Sequence, residues 1–325
     1  MITATDRSFH MSPSQLRQAP PSDRACACAA CGAGLPDAPA IVGADLLHGV
    51  PGEFRVHVCA GCGAGNTRPQ MSEDELAPFY PDDYGPHASE GPLAGALGRL
   101  LVRREIRVGA AGALGGHPGG RLLDVGCGGG ELAALLARSG GWRSAGIDPS
   151  AAACERARGL GVEARAGTLQ TVELEPGGFD AVLFNHSLEH IADPVEALDR
   201  ARGLLRPGGA LAISLPNFGC AARRRFGRAW FHLDLPRHRV HFNDAALRTA
   251  LERAGLRPER TWTSTSPSGL AGSIQYRRLG GLAVAEGPAR HAVGQVAALG
   301  LIPVARAEQA LGGGRDYLHA LARAP

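Results

Sequence analysis

Apolar residues along this chain gather into short runs, each closed by a glycine, proline or charged break: Leu122 to Val125, the stretch ending in Asp148, Ala181 to Phe184 and Ala210 to Leu215. Runs of this length, bounded by turn residues, predict strands buried on both faces. Between them the spacing changes. Leu132, Leu135 and Leu136 recur at helical intervals after the first run, and residues of about 193–205 do so after the third. Strand alternating with helix predicts an α/β fold with a parallel sheet. Further on, "NDAALRTALERAG" at 243–255 predicts a helix with Asn243 as N-cap. Two other stretches also read as helical: 93–114, leading into the sheet, and 291–325, whose apolar stripe suits packing on the catalytic domain, on a second subunit or on a membrane surface.

Length and composition set the scale. With 325 residues, 44% of them hydrophobic, the chain can bury one full core and part of another. The expected organisation is a polar, disordered tail at 1–24, a cysteine module at 25–70, a linker with an N-terminal helix at 71–115, a main α/β domain at 116–280 and a C-terminal helical segment at 281–325. All 34 basic residues are arginine, which excludes a lysine base or Schiff base. A net charge of +3 gives no whole-protein electrostatic case for nucleic acid. The tail lacks the apolar core of a secretory signal, and "AVGQVAALGLIPVA" at 292–305 falls short of a membrane span, so a cytoplasmic chain is expected.

Cysteines add a second kind of chemistry. Cys28 and Cys31 form one C-x-x-C pair, Cys59 and Cys62 another, with 27 residues between the pairs and a glycine after each. Each pair makes a tight turn aiming two thiolates at one point, and four thiolates suit tetrahedral structural Zn²⁺. Cys26 is an alternative ligand; disulfides are the competing reading, disfavoured in a reducing compartment.

The break after the first strand carries glycines at 126, 128, 129 and 130, and Glu131 stands where a dinucleotide fingerprint needs its last glycine. A carboxylate at a helix start is a poor neighbour for pyrophosphate. Asp148 ends the second strand, 24 residues after Asp124, where a carboxylate can accept two hydrogen bonds from a ribose diol. The pattern Asp124-x-Gly126-x-Gly128-x-Gly130 resembles motif I of the class I S-adenosylmethionine-dependent methyltransferases, whose ligand is cationic. That resemblance extends over about 170 residues, including "LRPGG" and the strand after it. It implies a Rossmann-like seven-stranded sheet preceded by a small zinc-ribbon-like module. It also implies an adenine contact near Thr168 and Leu169, and a donor- and substrate-facing loop from Asn185 through His186 to His190.

"RAWFHLDLPRHRVHF" at 228–242 holds three histidines, three arginines and one aspartate. Methyl transfer needs an aligned acceptor and often a base near neutrality, which histidine supplies. The stretch is similar to the base-bearing segment of bacterial sugar C-methyltransferases, which implies His238 as base. It departs from that pattern at Arg237 and His241, where those enzymes carry Glu and Tyr. A broader group of zinc-module methyltransferases that resemble quinone-biosynthesis methylases shows "YP…Y", "LEH…DP" and "D-x-PRH". Here these are Tyr80-Pro81 with Tyr84, Leu188-Glu189-His190 with Asp193-Pro194, and Asp234-x-Pro236-Arg237-His238. The resemblance implies His190, His238 and His241 as catalytic candidates, His186, Tyr80, Tyr84 and Arg237 as substrate contacts, and a small or carrier-linked acceptor such as a sugar or glycolipid. Metal binding by the histidines, a structural role for each of them, and phosphate or base contacts by "RRRFGRAWF" at 223–231 stand as alternatives.

Overall fold

The computed structural model describes residues 27–80, 108–114, 119–265, 267–281, 303 and 315–325. The expected tail, Cys26, Tyr84 and most of the helices expected over 93–114 and 291–325 lie outside these residues.

The cysteine module is a meander of β1 (Ile41–Gly43), β2 (Phe54–Val58) and β3 (Gly65–Arg68), followed by the single turn α1 (Glu73–Leu76). Ser72 and Glu75 cap that turn reciprocally, as a capping box does. Phe54, Val56 and Phe79 supply its apolar side and join Phe218, Trp230, Leu233 and Leu235 of the following domain in one buried cluster.

The main domain opens with α2 (Ala110–Ala113) and then alternates: β4 (Gly120–Val125), α3 (Glu131–Gly140), β5 (Trp142–Asp148), α4 (Ala151–Gly159), β6 (Glu163–Ala166), β7 (Phe179–Asn185), α5 (Pro194–Leu204) and β8 (Leu205–Pro216). The predicted runs are central strands. Leu122, Leu123, Val182, Leu183, Leu211 and Ile213 are fully buried because helices cover both faces of the sheet. Ser150 caps α4 through Ala153 N, and Asp193 caps α5 through Glu196 N with Pro194 in its first turn. After β8 come α6 (Ala221–Phe226), the two-residue β9 (Val240–His241), α7 (Asp244–Arg253), β10 (Arg257–Ser264), α8 (Pro267–Leu279) and β11 (Tyr317–Arg323). The Asn243 cap expected for α7 is present, its side chain accepting from Ala246 N at 2.8 Å.

The seven strands are ordered β10-β11-β8-β7-β4-β5-β6, parallel from β8 to β6 and antiparallel at β11 and β10. This is a Rossmann-like seven-stranded α/β sheet, as the resemblance noted above implies. It corrects the C-terminal expectation: residues 317–323 are a strand, not helix, and the main domain runs on to the chain's last residues. Leu318, Ala320 and Ala322 alternate inward, and β11 fills the open edge of β8. Buried His319 fastens it, one ring nitrogen 2.8 Å from Ser264 Oγ and the other 2.9 Å from Ser214 Oγ.

One link decides how the two parts meet. β9 belongs to the main domain by sequence but adds to the module's sheet, with Gly65 opposite His241 and Asn66 opposite Val240.

Candidate functional site

The glycine turn after β4 is built as its sequence requires. Gly126, Gly128 and Gly130 all have positive φ, at 75°, 53° and 82°. Space also limits the turn: a Cβ on Gly126 would lie 2.6 Å from Ser187 Cβ, and one on Gly130 would lie 2.7 Å from Ala157 Cβ. Only glycine meets both demands. Asp148 closes the turn from β5, its Oδ2 accepting from Gly128 N and its Oδ1 from Ser150 N, each at 2.9 Å. Each oxygen keeps a second lone pair for a diol.

Asp124 lies beneath this turn, 2% exposed, and its Oδ1 has no hydrogen-bond partner among the described residues. Burial, and then the charge of Asp148, lift its carboxyl from 3.8 to about 7. A buried, unpaired carboxylate oxygen costs free energy that a cation would recover, so the residues present fit a positively charged ligand. Thr168 stands in the turn after β6 with its hydroxyl 3.2 Å from Gln170 N, while the Leu169 side chain is 3% exposed and part of the main core.

Beyond β7 the chain turns sharply and brings a second group of residues beside the glycine turn. Asn185 ends the strand half-buried, and His186 follows with φ of 56°. Asp234 has φ of 38°. No other non-glycine residue among the described ones has positive φ, and strained backbone of this kind gathers where function over-determines it. Ser187 fastens the turn to motif I, its Oγ donating to Val125 O.

Glu189 is 2% exposed, and its carboxylate is held among imidazoles. Its Oε1 lies 3.5 Å from His186 Nδ1 and 4.0 Å from His238 Nε2. Burial pushes this carboxyl up, but the hydrogen-bonding edge of His186 and the charges of His190 and His238 outweigh it and hold the group at about 2. His190 and His238 meet edge to face with ring centroids 4.7 Å apart. A backbone carbonyl faces each Nδ1 atom. His238 Nδ1 lies 2.9 Å from His232 O, and His190 Nδ1 lies 3.2 Å from Arg237 O. A carbonyl only accepts, so His238 Nδ1 carries the proton and its Nε2 presents a lone pair, whereas His190 Nδ1 is shared between a carbonyl and the Tyr80 hydroxyl. Desolvation, and then His238, bring His190 down to about 4. Asp234 Oδ2 lies 3.7 Å from His238 Nε2, so two carboxylates face the nitrogen able to take a proton. Glu189, His190 and His238 offer donor atoms within 4.8 Å of one another, close enough to share a cation. Tyr80 joins them through its hydroxyl, 3.0 Å from His190 Nδ1.

Two expected roles are corrected. Arg237 touches no substrate, being 0% exposed with its guanidinium spent inside the protein: on Asp45 Oδ1 at 2.7 Å, Asp234 Oδ1 at 2.6 Å and Phe79 O at 3.0 Å. His241 meets the edge of His238 at 6.3 Å between ring centroids, but its Nε2 is taken up by Thr67 Oγ1 at 3.0 Å and its ring packs on Phe218. Burial, and then His238, lower it to about 3. Of the "RRRF" arginines, Arg223 stacks on Phe218 at 4.0 Å, and Arg224 and Arg225 are exposed.

Other site residues escaped the sequence reading. Glu189 sits inside the "LEH" triplet and Asp234 inside "D-x-PRH", so a signal existed for both. Tyr317 had none: β11 carries its ring to 4.7 Å from His186 and 5.0 Å from His232.

In the module, Sγ of Cys28 lies 3.6 Å from that of Cys62, and Sγ of Cys31 lies 3.5 Å from that of Cys59, all four within 4.8 Å. These are unbonded thiols at the spacing of tetrahedral thiolate ligands, for which Zn–S of about 2.3 Å implies S···S near 3.8 Å. The donor set suits zinc. No helix among the described residues is long and apolar enough to cross a membrane.

Comparison with known proteins follows the same lines. Residues 101–261 match the family described as "Methyltransferase domain". A ubiquinone biosynthesis O-methyltransferase of Xylella fastidiosa is 35% identical over 160 residues, 47% of this chain and 62% of that protein. An uncharacterized 37.1 kDa protein in transposon TN4556 of Streptomyces fradiae is 40% identical over 113 residues, 33% of each chain. The chain thus spans a third of one relative and less than two thirds of the other. A solved methyltransferase from Thermotoga maritima, described as a possible histamine N-methyltransferase, has a TM-score of 0.46 and 20% identity, covering 72% of this chain and 96% of that one.

Proposed function

We propose that this protein, whose residues 101–261 match a methyltransferase-domain family, transfers a methyl group from S-adenosylmethionine to a hydroxyl of a small or carrier-linked metabolite, a sugar or glycolipid being the class to test first. The observation that carries the reading is the pairing of two buried carboxylates on one sheet edge: Asp124, with an unpartnered oxygen under the glycine turn, and Glu189 among the histidines just beyond it. The first suits a cationic donor, the second an imidazolium formed when a histidine takes a proton.

S-adenosylmethionine, when bound, supplies an electrophilic methyl group on a sulfonium. Asp148 is placed for its ribose hydroxyls, the Gly126–Gly130 turn for its close approach, and Asp124 for its positive end. Thr168 and the backbone at Leu169 stand where adenine would lie. The chain's own work is alignment and proton handling. His238 Nε2 is the acceptor of the hydroxyl proton, because its lone pair is fixed by the Nδ1 contact to His232 O and two carboxylates compensate the charge it gains. His190 lies against the His238 ring and carries Tyr80 on its Nδ1, and Tyr317 and His232 add aromatic walls for the acceptor. The relatives' O-methyltransferase names support an oxygen acceptor, and the sugar class rests on the resemblance of the histidine segment. The four cysteines are read as a structural zinc site, in keeping with a reducing, cytoplasmic compartment.

The test is incubation of metal-replete protein with labelled S-adenosylmethionine and pools of nucleotide-sugars, lipid-linked sugars and RNA, beside His238→Ala. Label is expected in a sugar fraction, with transfer lost in the variant while S-adenosylhomocysteine still binds. Label in RNA alone overturns the substrate class, and undiminished transfer by the variant overturns the base.

A further inference from the structure

The histidine segment is held from both sides, by its own domain and by the residues of the cysteine module and the turn that follows it. Arg237, one residue before His238, is anchored on Asp45 and on Phe79 O. Arg239, one residue after it, is anchored on Met71 O at 2.5 Å and Glu73 Oε1 at 3.0 Å. The backbone between these arginines meets a single residue of the cysteine module. Thr67 N donates to Arg239 O at 2.9 Å, and Thr67 Oγ1 donates to His238 O at 2.6 Å. Arg239 N in turn donates to Glu189 O at 2.8 Å. A continuous ladder therefore runs from β3, through the peptide beside His238, to the loop that carries Glu189 and His190.

The Thr67 hydroxyl settles a proton as well. It has one hydrogen, and His238 O, a carbonyl, takes it. The contact to His241 Nε2 at 3.0 Å must then be donated by the ring, which makes His241 the Nε2–H tautomer. The preceding residue faces the cysteines. Asn66, 0% exposed, accepts from Ala29 N at 2.9 Å through Oδ1 and places Nδ2 3.7 Å from Cys28 Sγ. Adjacent residues of one short strand thus touch the thiolate cluster and the histidine group.

We propose that Thr67 is a positioning residue of the methyltransferase site, through which the cysteine module sets the tautomer of His241 and the placement of His238 and Glu189. The proposal rests on the function proposed above but is tested separately from it. The module then serves as a wall of the catalytic site. Removing one hydroxyl there misplaces groups on another domain, and displacements of this size cost on the order of 10–100-fold in turnover.

The experiment uses full-length, zinc-replete protein with ¹⁵N-labelled histidine, observed by long-range ¹H–¹⁵N spectra with saturating S-adenosylhomocysteine. In the wild type, His241 should show a protonated Nε2, and His238 a protonated Nδ1. Thr67→Val should move the His241 and His238 signals, leave S-adenosylhomocysteine affinity within about twofold by calorimetry, and be rescued in its spectrum by Thr67→Ser. Wild-type His241 protonated at Nδ1 overturns the proposal without any variant, which covers the case of Thr67→Val failing to fold. Unmoved His238 and His241 signals in a folded Thr67→Val also overturn it. Absence of heat with S-adenosylhomocysteine in the wild type would instead sink the methyltransferase reading and leave the tautomer result standing.

Discussion

Asp124→Asn separates what stability wants from what ligand binding wants. In the folded protein this carboxyl is lifted to about 7, by burial first and by Asp148 second. The unfolded chain ionises it near its ordinary value, 3.8. A rise of that size weakens the folded state by about 4 kcal/mol once the pH is well above 7. Because the folded value is raised, the group's contribution is intact at pH below the ordinary carboxyl range and is lost as pH rises through about 7. The amide keeps the shape and removes the charge. Urea denaturation of the ligand-free, zinc-replete protein should therefore show the variant gaining on the wild type by about 3 kcal/mol between about pH 5 and about pH 8.5, because the wild type alone loses stability over that interval. Calorimetry with S-adenosylhomocysteine should show the opposite. Wild-type affinity should tighten as pH rises through about 7, and the variant should bind at least about tenfold more weakly with no such rise. A stability difference that is the same at both pH values, or ligand binding indifferent to the substitution, would refute the assignment of Asp124 to the cationic end of the donor.

The remaining predictions concern the join between module and domain. Arg237→Ala removes the cation shared by Asp45 and Asp234, leaving Asp45 to the backbone donors of Leu47, His48 and Val50, and should cost about 3–5 kcal/mol by chemical denaturation near neutrality. Burial raises the Asp234 carboxyl but Arg237 outweighs it and holds it at about 2, so this stability is present above the ordinary carboxyl value and fades as pH falls through about 2. The gap between variant and wild type should narrow correspondingly in acid. Metal analysis should find one zinc per chain. Its removal by chelation forfeits on the order of 10–16 kcal/mol of module stability, and hydrogen exchange should then rise at Gly65–Arg68 and at Val240. Zinc present at well under one per chain, or exchange at Val240 unchanged by chelation, would contradict that coupling.

Local pattern carried much of the architecture. The runs at 122–125, 181–184 and 210–215 could only be strands covered on both faces, and Asn243, Asp193 and the positive-φ glycines mark their elements by chemistry that acts within a few residues. The cysteine spacing likewise placed four thiols together, since two tight turns need only one sheet to bring them face to face. Where neighbours lie far apart in sequence, the reading failed. Residues 317–323 have an apolar period that suits a helix or a strand, and the open edge of β8 chose strand, bringing Tyr317 to the site. Arg237 and His241 looked like substrate and catalytic residues because their chemistry is right; their partners, Asp45 and Thr67, lie about 170–190 positions away. Composition and periodicity report which groups a segment offers. Which of those groups stay available depends on long-range partners that satisfy them, because a buried charge or donor is spent wherever the fold supplies its complement.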